Sequence, residues 1–297
     1  MSGQVVLKIK QKLNLNQYLP DNVYLKRQWE KVTGTKLNLS DPKTFNEKIQ
    51  WLKIHDHNPK YTEYVDKYLA KERVKEILGE EYIIPTLGVW DRFDEIDFDR
   101  LPDRFVLKCT HDSGSVFIIP DKDKMDKAGI REKTEEALKH NFYMNGREWP
   151  YKNVQPRILA EEFMTDESGY ELKDYKVFVF GGKAKFIQVD FDRFTDHHRN
   201  FYDPEWQYVP FTTLYPTNPE RKIDRPDCLE EMLADAEKIA GALDTPPFVR
   251  IDFYVIGSRL LFGEATFYHG SGLEPFMPEE YGRILGDMID LSKVKKA

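Results

Sequence analysis

Phe248-Val249-Arg250-Ile251-Asp252-Phe253-Tyr254-Val255, followed after Gly257 by Leu260-Leu261-Phe262-Gly263-Glu264-Ala265, is the stretch that decides the fold. Two apolar runs flank a short glycine-containing break, the pattern of a β-hairpin. Arg250, Asp252 and Glu264 are charges in strands otherwise built for a core. Side chains alternate along a strand, so Arg250 and Asp252 share a face, and hairpin pairing can set Glu264 beside them. Burying such charges is costly unless they pair or bind a metal. Two hard carboxylates with a neighbouring oxygen ligand suit Mg²⁺, which prefers oxygen and shares its shell with phosphates. A buried salt bridge is the alternative reading of the same residues.

Two more hairpins precede this one. Phe105-Val106-Leu107-Lys108-Cys109 runs into the polar tip His111-Asp112-Ser113-Gly114-Ser115 and out through Val116-Phe117-Ile118-Ile119. Lys108 beside a small-residue turn can neutralise phosphate oxygens, and the turn's N–H groups can point at them; an ordinary hairpin with a surface lysine reads the same way. Tyr175-Lys176-Val177-Phe178-Val179-Phe180, Gly181-Gly182 and Ala184-Lys185-Phe186-Ile187-Gln188-Val189 form the other, with Asp174 and Lys176 on one face. Between them lies a strand over 157–164 ending in Glu161-Glu162-Phe163-Met164, whose carboxylates suit adenine and ribose contacts or a solvated edge.

Helical periodicity marks 45–54, 64–78, 126–142, 227–242 and 279–291. Ser40 or Asp41 is the expected cap before 45–54. Strand pairs alternating with helices, without a strict βαβ rhythm, indicate α+β layers. The chain divides into a helical region over 1–80, a small lobe with a phosphate-binding hairpin over 81–156, and a large lobe with adenine and Mg²⁺ sites over 157–297.

The bulk properties agree with such a chain. It has 297 residues, 40% of them hydrophobic and 32% charged, enough for lobes around a cleft. No apolar run approaches the ~20 residues of a membrane span, and no signal peptide is read at the N-terminus. Lys8, Lys10 and Lys12 alternate with apolar residues, as a surface-packed or membrane-docking segment would. Two cysteines, Cys109 and Cys228, neither in a CxxC, argue against a disulfide framework or zinc site, which points to a reducing, cytoplasmic setting. A net charge of -7 argues against nucleic-acid binding.

Taken in order, Lys67, Lys108 before Ser113-Gly114-Ser115, Glu161-Glu162-Phe163-Met164, Arg250-Asp252 and Glu264-Ala265-Thr266 resemble the motifs of the ATP-grasp ligases. Thr44-Phe45-Asn46-Glu47-Lys48-Ile49-Gln50-Trp51-Leu52, Lys173-Asp174-Tyr175-Lys176, Arg199-Asn200-Phe201-Tyr202-Asp203 and Tyr268-His269-Gly270-Ser271-Gly272-Leu273 are similar to its TupA-like branch, linked to teichuronopeptide and other bacterial surface polysaccharides. The resemblance implies an ATP-grasp fold: two α/β lobes gripping a nucleotide, here with a mostly helical N-terminal extension. It implies ATP and Mg²⁺. Lys67, Lys108 and Lys176 would contact phosphates and Ser113, Gly114 and Ser115 would close over them. Glu161 and the backbone of Glu162 and Met164 would hold adenine, beside Phe163, and Asp174 the ribose. Asp252, Glu264 and Thr266 would hold the metal, and Arg250 would stabilise the transferring phosphoryl group. Many ATP-grasp enzymes have Asn where Thr266 stands, and the usual N-terminal α/β lobe is missing.

The implied reaction joins a carboxylate to an amine through an acyl phosphate, on a sugar uronate or a nucleotide- or lipid-linked glycan precursor at the inner face of the membrane. Arg193, Arg199, His269, Ser271 and Gly272 are the candidate substrate contacts. Three rivals stand beside it: a sugar or glycan kinase, a glycosyltransferase using Asp190-Phe191-Asp192 as a DxD motif, and a non-catalytic nucleotide-binding subunit.

Overall fold

The computed structural model describes residues 18–165, 172–192 and 195–294. The expected membrane-docking lysines and Arg193 lie outside them. Helix α1 (Asp21–Thr33) buries Tyr24, Leu25 and Trp29 and stops where Gly34 takes φ 71°. Helix α2 (Phe45–His55) is capped by Thr44, whose hydroxyl accepts the Glu47 amide while Glu47 reaches back in a capping box. The cap is thus not Ser40 or Asp41: both belong to a loop that the Asn38 side chain organises.

The helix expected over 64–78 is two, α3 (Lys60–Val65) and α4 (Lys67–Leu78). Asp66 separates them with an extended backbone, and its carboxylate caps α4 by accepting the amides of Tyr68 and Leu69. Apolar periodicity runs on across the break, so only the cap chemistry reveals it.

Strands β1 (Thr86–Trp90), β2 (Phe105–Cys109), β3 (Val116–Ile119) and β4 (Ile158–Glu162) form an antiparallel sheet in the order β1-β4-β2-β3. Helix α5 (Lys127–Leu138) packs on it, with Ile130 and Leu138 against Phe105, Leu107 and Ile119. A short helix α6 (Tyr143–Gly146) follows. Starting the large lobe at 157 is therefore a misplacement, because β4 is an inner strand of the first sheet. The crossing to the second sheet comes after Glu162.

That second sheet runs β11-β10-β5-β6-β7-β8. It comprises β5 (Asp174–Phe180), β6 (Lys183–Phe191), β7 (His198–Tyr202), β8 (Tyr208–Val209), β10 (Phe248–Ile256) and β11 (Arg259–Thr266). Strands β9 (Thr212–Thr213) and β12 (Phe276–Met277) pair separately. Helix α7 (Leu229–Ala242) packs across β5, β6 and β10. Its Met232, Ala236 and Ile239 share a core with Val177, Val179, Ile187, Val189, Val249 and Ile251, all fully buried. Each of the Val, Ile and Met side chains contributes about 1.5–3 kcal/mol. The alternate residues Phe178, Phe180 and Phe248 face α2, where Phe45 meets Phe248 and Phe180 edge-on at 4.9 and 6.3 Å. Helix α8 (Glu280–Asp287) closes that end, and a Cβ on Gly286 would stand 2.3 Å from the Lys43 carbonyl.

Asp56, at the C-terminus of α2, is 9% exposed and accepts a 3.1 Å hydrogen bond from Tyr61. Burial pushes its carboxyl up to about 6 from 3.8, against the Tyr61 bond. Between those values the folded state holds the proton more tightly than the unfolded chain, so this group's contribution falls as pH rises and levels off above about 6. Asp56→Asn is expected to stabilise by roughly 2 kcal/mol at pH 7.5 and by almost nothing at pH 4. Melting temperatures at the two pH values check it, and an equal effect at both would refute the burial argument.

Candidate active site

Pairing register builds the site. On one face of the second sheet Glu264, Asp252, Lys176 and Gln188 stand opposite one another across β11, β10, β5 and β6. Beside that row lie Tyr254, Asp174, Asp190 and Arg199 on β10, β5, β6 and β7. Thr266 faces Arg250.

Arg250 is the hub. Its Nε and Nη2 donate to the two oxygens of Asp252, each at 2.6 Å. Nη2 also reaches Glu264 Oε1 at 3.0 Å and Thr266 Oγ1 at 3.1 Å, and Nη1 reaches His269 Nδ1 at 2.9 Å. Burial opposes the guanidinium's charge, but Asp252 and then Glu264 more than offset it. Because Nη1 donates, His269 Nδ1 accepts, and burial with the Arg250 charge holds that imidazole neutral, well below its usual pKa. Lys176 Nζ lies 2.9 Å from Asp174 and 3.0 Å from Asp252, and these carboxylates outweigh its burial to raise its pKa. The metal reading and the salt-bridge reading thus fall on one set of atoms: Asp252 is fully paired, whereas the Glu264 side chain remains 48% exposed.

The first sheet supplies a second cluster. Glu161, 5% exposed, accepts from Lys71 Nζ at 2.9 Å and pairs with Lys108. Those lysines, Lys108 foremost, hold it ionised against its burial. Glu161, expected at adenine, is thus the shared partner of Lys71 and Lys108. The Glu162 amide is committed to the Pro85 carbonyl at 3.0 Å, its side chain is exposed, and Phe163 stacks under Arg104 at 4.1 Å. Met164 is half-buried beyond the strand end.

Lys67 joins the clusters. The Asp66 break starts α4 at Lys67, whose amide bonds the Thr110 carbonyl at 3.0 Å and whose ammonium bonds the Asp112 carbonyl. Burial lowers its pKa, while Glu264 and Asp112 on one side and Lys108 on the other act on its charge. A narrow cavity lined by Tyr64, Lys67, Tyr151, Gly263 and Glu264 runs between α4 and β11. Ser113 and Gly114 are exposed at the tip, with Gly114 at φ 142°, and Ser115 bonds Asp112.

The expected substrate contacts divide. His269 joins the Arg250 hub. Arg199 is committed to Asp190 Oδ1 at 2.8 Å, Thr213 Oγ1 at 2.8 Å and Glu274 at 3.2 Å. Ser271 and Gly272 present their carbonyls to α2: Gln50 Nε2 donates to both, at 2.8 and 2.9 Å, and Lys53 Nζ to Ser271 at 2.9 Å. The DxD spelling fails as a metal motif, because Asp190 is buried under Arg199, His197 and Gln188, while Asp192, at φ 53°, lies 3.9 Å from Arg221. His197 and His198 stack on Tyr215 and Phe191.

Sequence reasoning missed Lys71, Tyr151 and Tyr254. Lys67 and Lys71 stand one helical turn apart beside Ala70 and Val74, a polar interruption that could have flagged Lys71. No local pattern marks Tyr151 or Tyr254.

Cys109 and Cys228 are buried and free, and among the described residues no helix is long and apolar enough to cross a membrane. No group of three or more His, Cys, Asp or Glu forms a metal nest among those residues.

No curated protein matches the sequence. Among solved structures, D-alanine–D-alanine ligase from Bacillus anthracis is 15% identical with a TM-score of 0.45, the match covering 76% of this chain and 66% of that one. The Helicobacter pylori D-alanine–D-alanine ligase is 18% identical, TM-score 0.39, at 78% and 64% coverage. The ATP-grasp ligase PsnB complexed with minimal precursor, Mg and ADP is 9% identical, TM-score 0.40, at 75% and 57%. The chain thus spans about two thirds or less of their lengths. A family model described as TupA-like ATPgrasp matches residues 47–290. With the helical segment from Glu47 onward, both sheets and the Arg250 hub inside that match, the chain belongs to the TupA-like ATP-grasp family and has the α+β ATP-grasp fold.

Proposed function

We propose that this chain is an ATP-dependent carboxylate–amine ligase that forms an amide through an acyl phosphate, joining an amino acid to a sugar uronate or glycan precursor of bacterial surface polysaccharide. The carrying observation is the Arg250 hub: one guanidinium touching Asp252, Glu264, Thr266 and His269, with Glu264 and Lys67 lining one small, water-sized cavity beside it. A carboxylate attacking the γ-phosphate of ATP brings two anions together. Lys67, Lys71 and Lys108 supply positive charge for the triphosphate, and Arg250 sits where charge on the transferring phosphoryl group develops. The neutral His269 holds Arg250 from behind without adding charge. Lys176 and Asp174 set the charge balance along the strand row. The exposed Ser113-Gly114-Ser115 tip is the candidate lid that keeps water from the acyl phosphate.

The donor set fits Mg²⁺: Glu264 and Asp252 face one another, Thr266 adds a hydroxyl 3.3 Å from Glu264, and Glu264 opens to the cavity. All are hard oxygens, two carboxylates being the number Mg²⁺ takes when phosphates complete its shell. Bound there, the cation supplies Lewis-acid neutralisation of the phosphates. ATP as co-substrate makes the cytoplasm the working compartment.

The test is Mg²⁺-dependent ATP turnover across amino acids and uronic acids, with product analysis separating amide from phosphorylated sugar. Glu264→Ala and Lys108→Ala are each expected to lower turnover by at least ~10²-fold. Wild-type rates in both variants would remove the assignment.

A further inference from the structure

Where the α2 extension meets the large lobe, three polar groups converge that the reaction so far leaves unused. Lys53, 1% exposed, donates from Nζ to the Ser271 hydroxyl at 2.8 Å as well as to its carbonyl. Ser271 sits in a run of three left-handed residues, Gly270, Ser271 and Gly272 at φ 55°, 53° and 63°, a conformation costly for serine. Glu148 completes the group. A Cβ placed on Gly146 would stand 2.8 Å from Ser271 Oγ and 3.1 Å from Glu148 Oε1, so hydroxyl and carboxylate share one niche that only glycine leaves open.

The niche borders the chemistry on both sides. Ser271 follows His269, which holds Arg250. Glu148 begins the turn that carries Tyr151, a wall of the cavity shared with Lys67 and Glu264. Lys53 of α2 and Glu264 of β11 act on Glu148 by charge, and the Ser271 hydroxyl of the loop by a hydrogen bond. Burial outweighs Lys53 and Ser271 and raises the carboxyl's pKa.

We propose that Glu148, backed by Ser271 and Lys53, is the amine subsite: its carboxylate receives the acceptor ammonium and acts as the general base for its attack. This rests on the ligase reading above. The step balances as follows. Glu148 takes one proton from the ammonium, the freed nitrogen bonds to the carbonyl carbon of the acyl phosphate, and the C–O bond to phosphate breaks. The second N–H proton departs with the phosphate as hydrogen phosphate. Lys53 and Ser271 are positioning residues, holding the carboxylate and the loop.

The experiment compares wild type, Glu148→Gln and Glu148→Asp in the full chain, with MgATP, uronic and amino acids as carboxylates, and two amines. One amine is an amino acid, protonated at pH 7. The other is hydroxylamine, already mostly unprotonated there, which reports acyl phosphate as a coloured hydroxamate. In Glu148→Gln the amino-acid amide is expected to fall about 10²–10³-fold further than hydroxamate. It should recover as pH rises and free amine accumulates, and Glu148→Asp should restore part of the rate. Equal losses with both amines, no pH recovery, or no loss would overturn the assignment. Absence of hydroxamate in wild type with every carboxylate would instead overturn the ligase reading, and the subsite with it.

Discussion

Arg250→Met is expected to lower ATP turnover by about 10³–10⁵-fold, the range associated with an arginine that stabilises phosphoryl transfer. The fold should weaken as well. Asp252 is 2% exposed, and without the guanidinium Lys176 is its remaining partner among the described residues; breaking a buried pair from one side costs about 3 kcal/mol or more. Arg250→Lys should rescue stability better than activity. One ammonium can stay near Asp252, but it cannot span Asp252, Glu264, Thr266 and His269 as the planar fork does. Turnover and denaturant midpoints for both variants check this. If Arg250→Lys turned over at the wild-type rate, the hub would be a structural ion pair and nothing more.

Glu161→Gln is expected to destabilise the ligand-free protein by about 3 kcal/mol while increasing the stabilisation that an ATP analogue confers. Glu161 is the shared counter-ion of Lys71 and Lys108. Neutralising it leaves two ammonium groups crowded in a nearly dry site. A bound triphosphate would supply the missing negative charge, so the gain on adding a non-hydrolysable MgATP analogue should exceed that of wild type by several degrees in melting temperature. The two readouts move in opposite directions, which a general loss of packing would not produce. An unchanged melting point without ligand, or a smaller ligand-induced rise than in wild type, would contradict the counter-ion role.

The hairpins were legible because their information is local. Apolar runs broken by Gly114, Gly181-Gly182 and Gly257 fold back on themselves, and register then follows from loop length. For the same reason the Arg250-Asp252-Glu264 face could be read from alternation, and the register sets Asp252 opposite Glu264 and Thr266 opposite Arg250. The membership of β4 was not legible. Its apolar run suits either sheet, and only pairing with β1 and β2 on both edges assigns it. Nor was the fate of Glu161: a strand-end carboxylate reads alike whether it meets adenine or two lysines, one of them 90 residues upstream.

By itself, then, the sequence determined the three hairpins, the amphipathic helices and the two same-face pairs, Arg250 with Asp252 and Asp174 with Lys176, since periods of 2 and 3.6 residues are properties of neighbours along the chain. Tertiary structure alone decided that Lys71 and Lys108 share Glu161, that the Asp66 break starts α4 at Lys67 beside the Asp112 carbonyl, and that α2 brings Lys53 to Ser271. Those contacts join segments tens to hundreds of residues apart. Which partner a charge finds there depends on the packing of whole lobes, where a buried ion must be paired and several candidates compete for it.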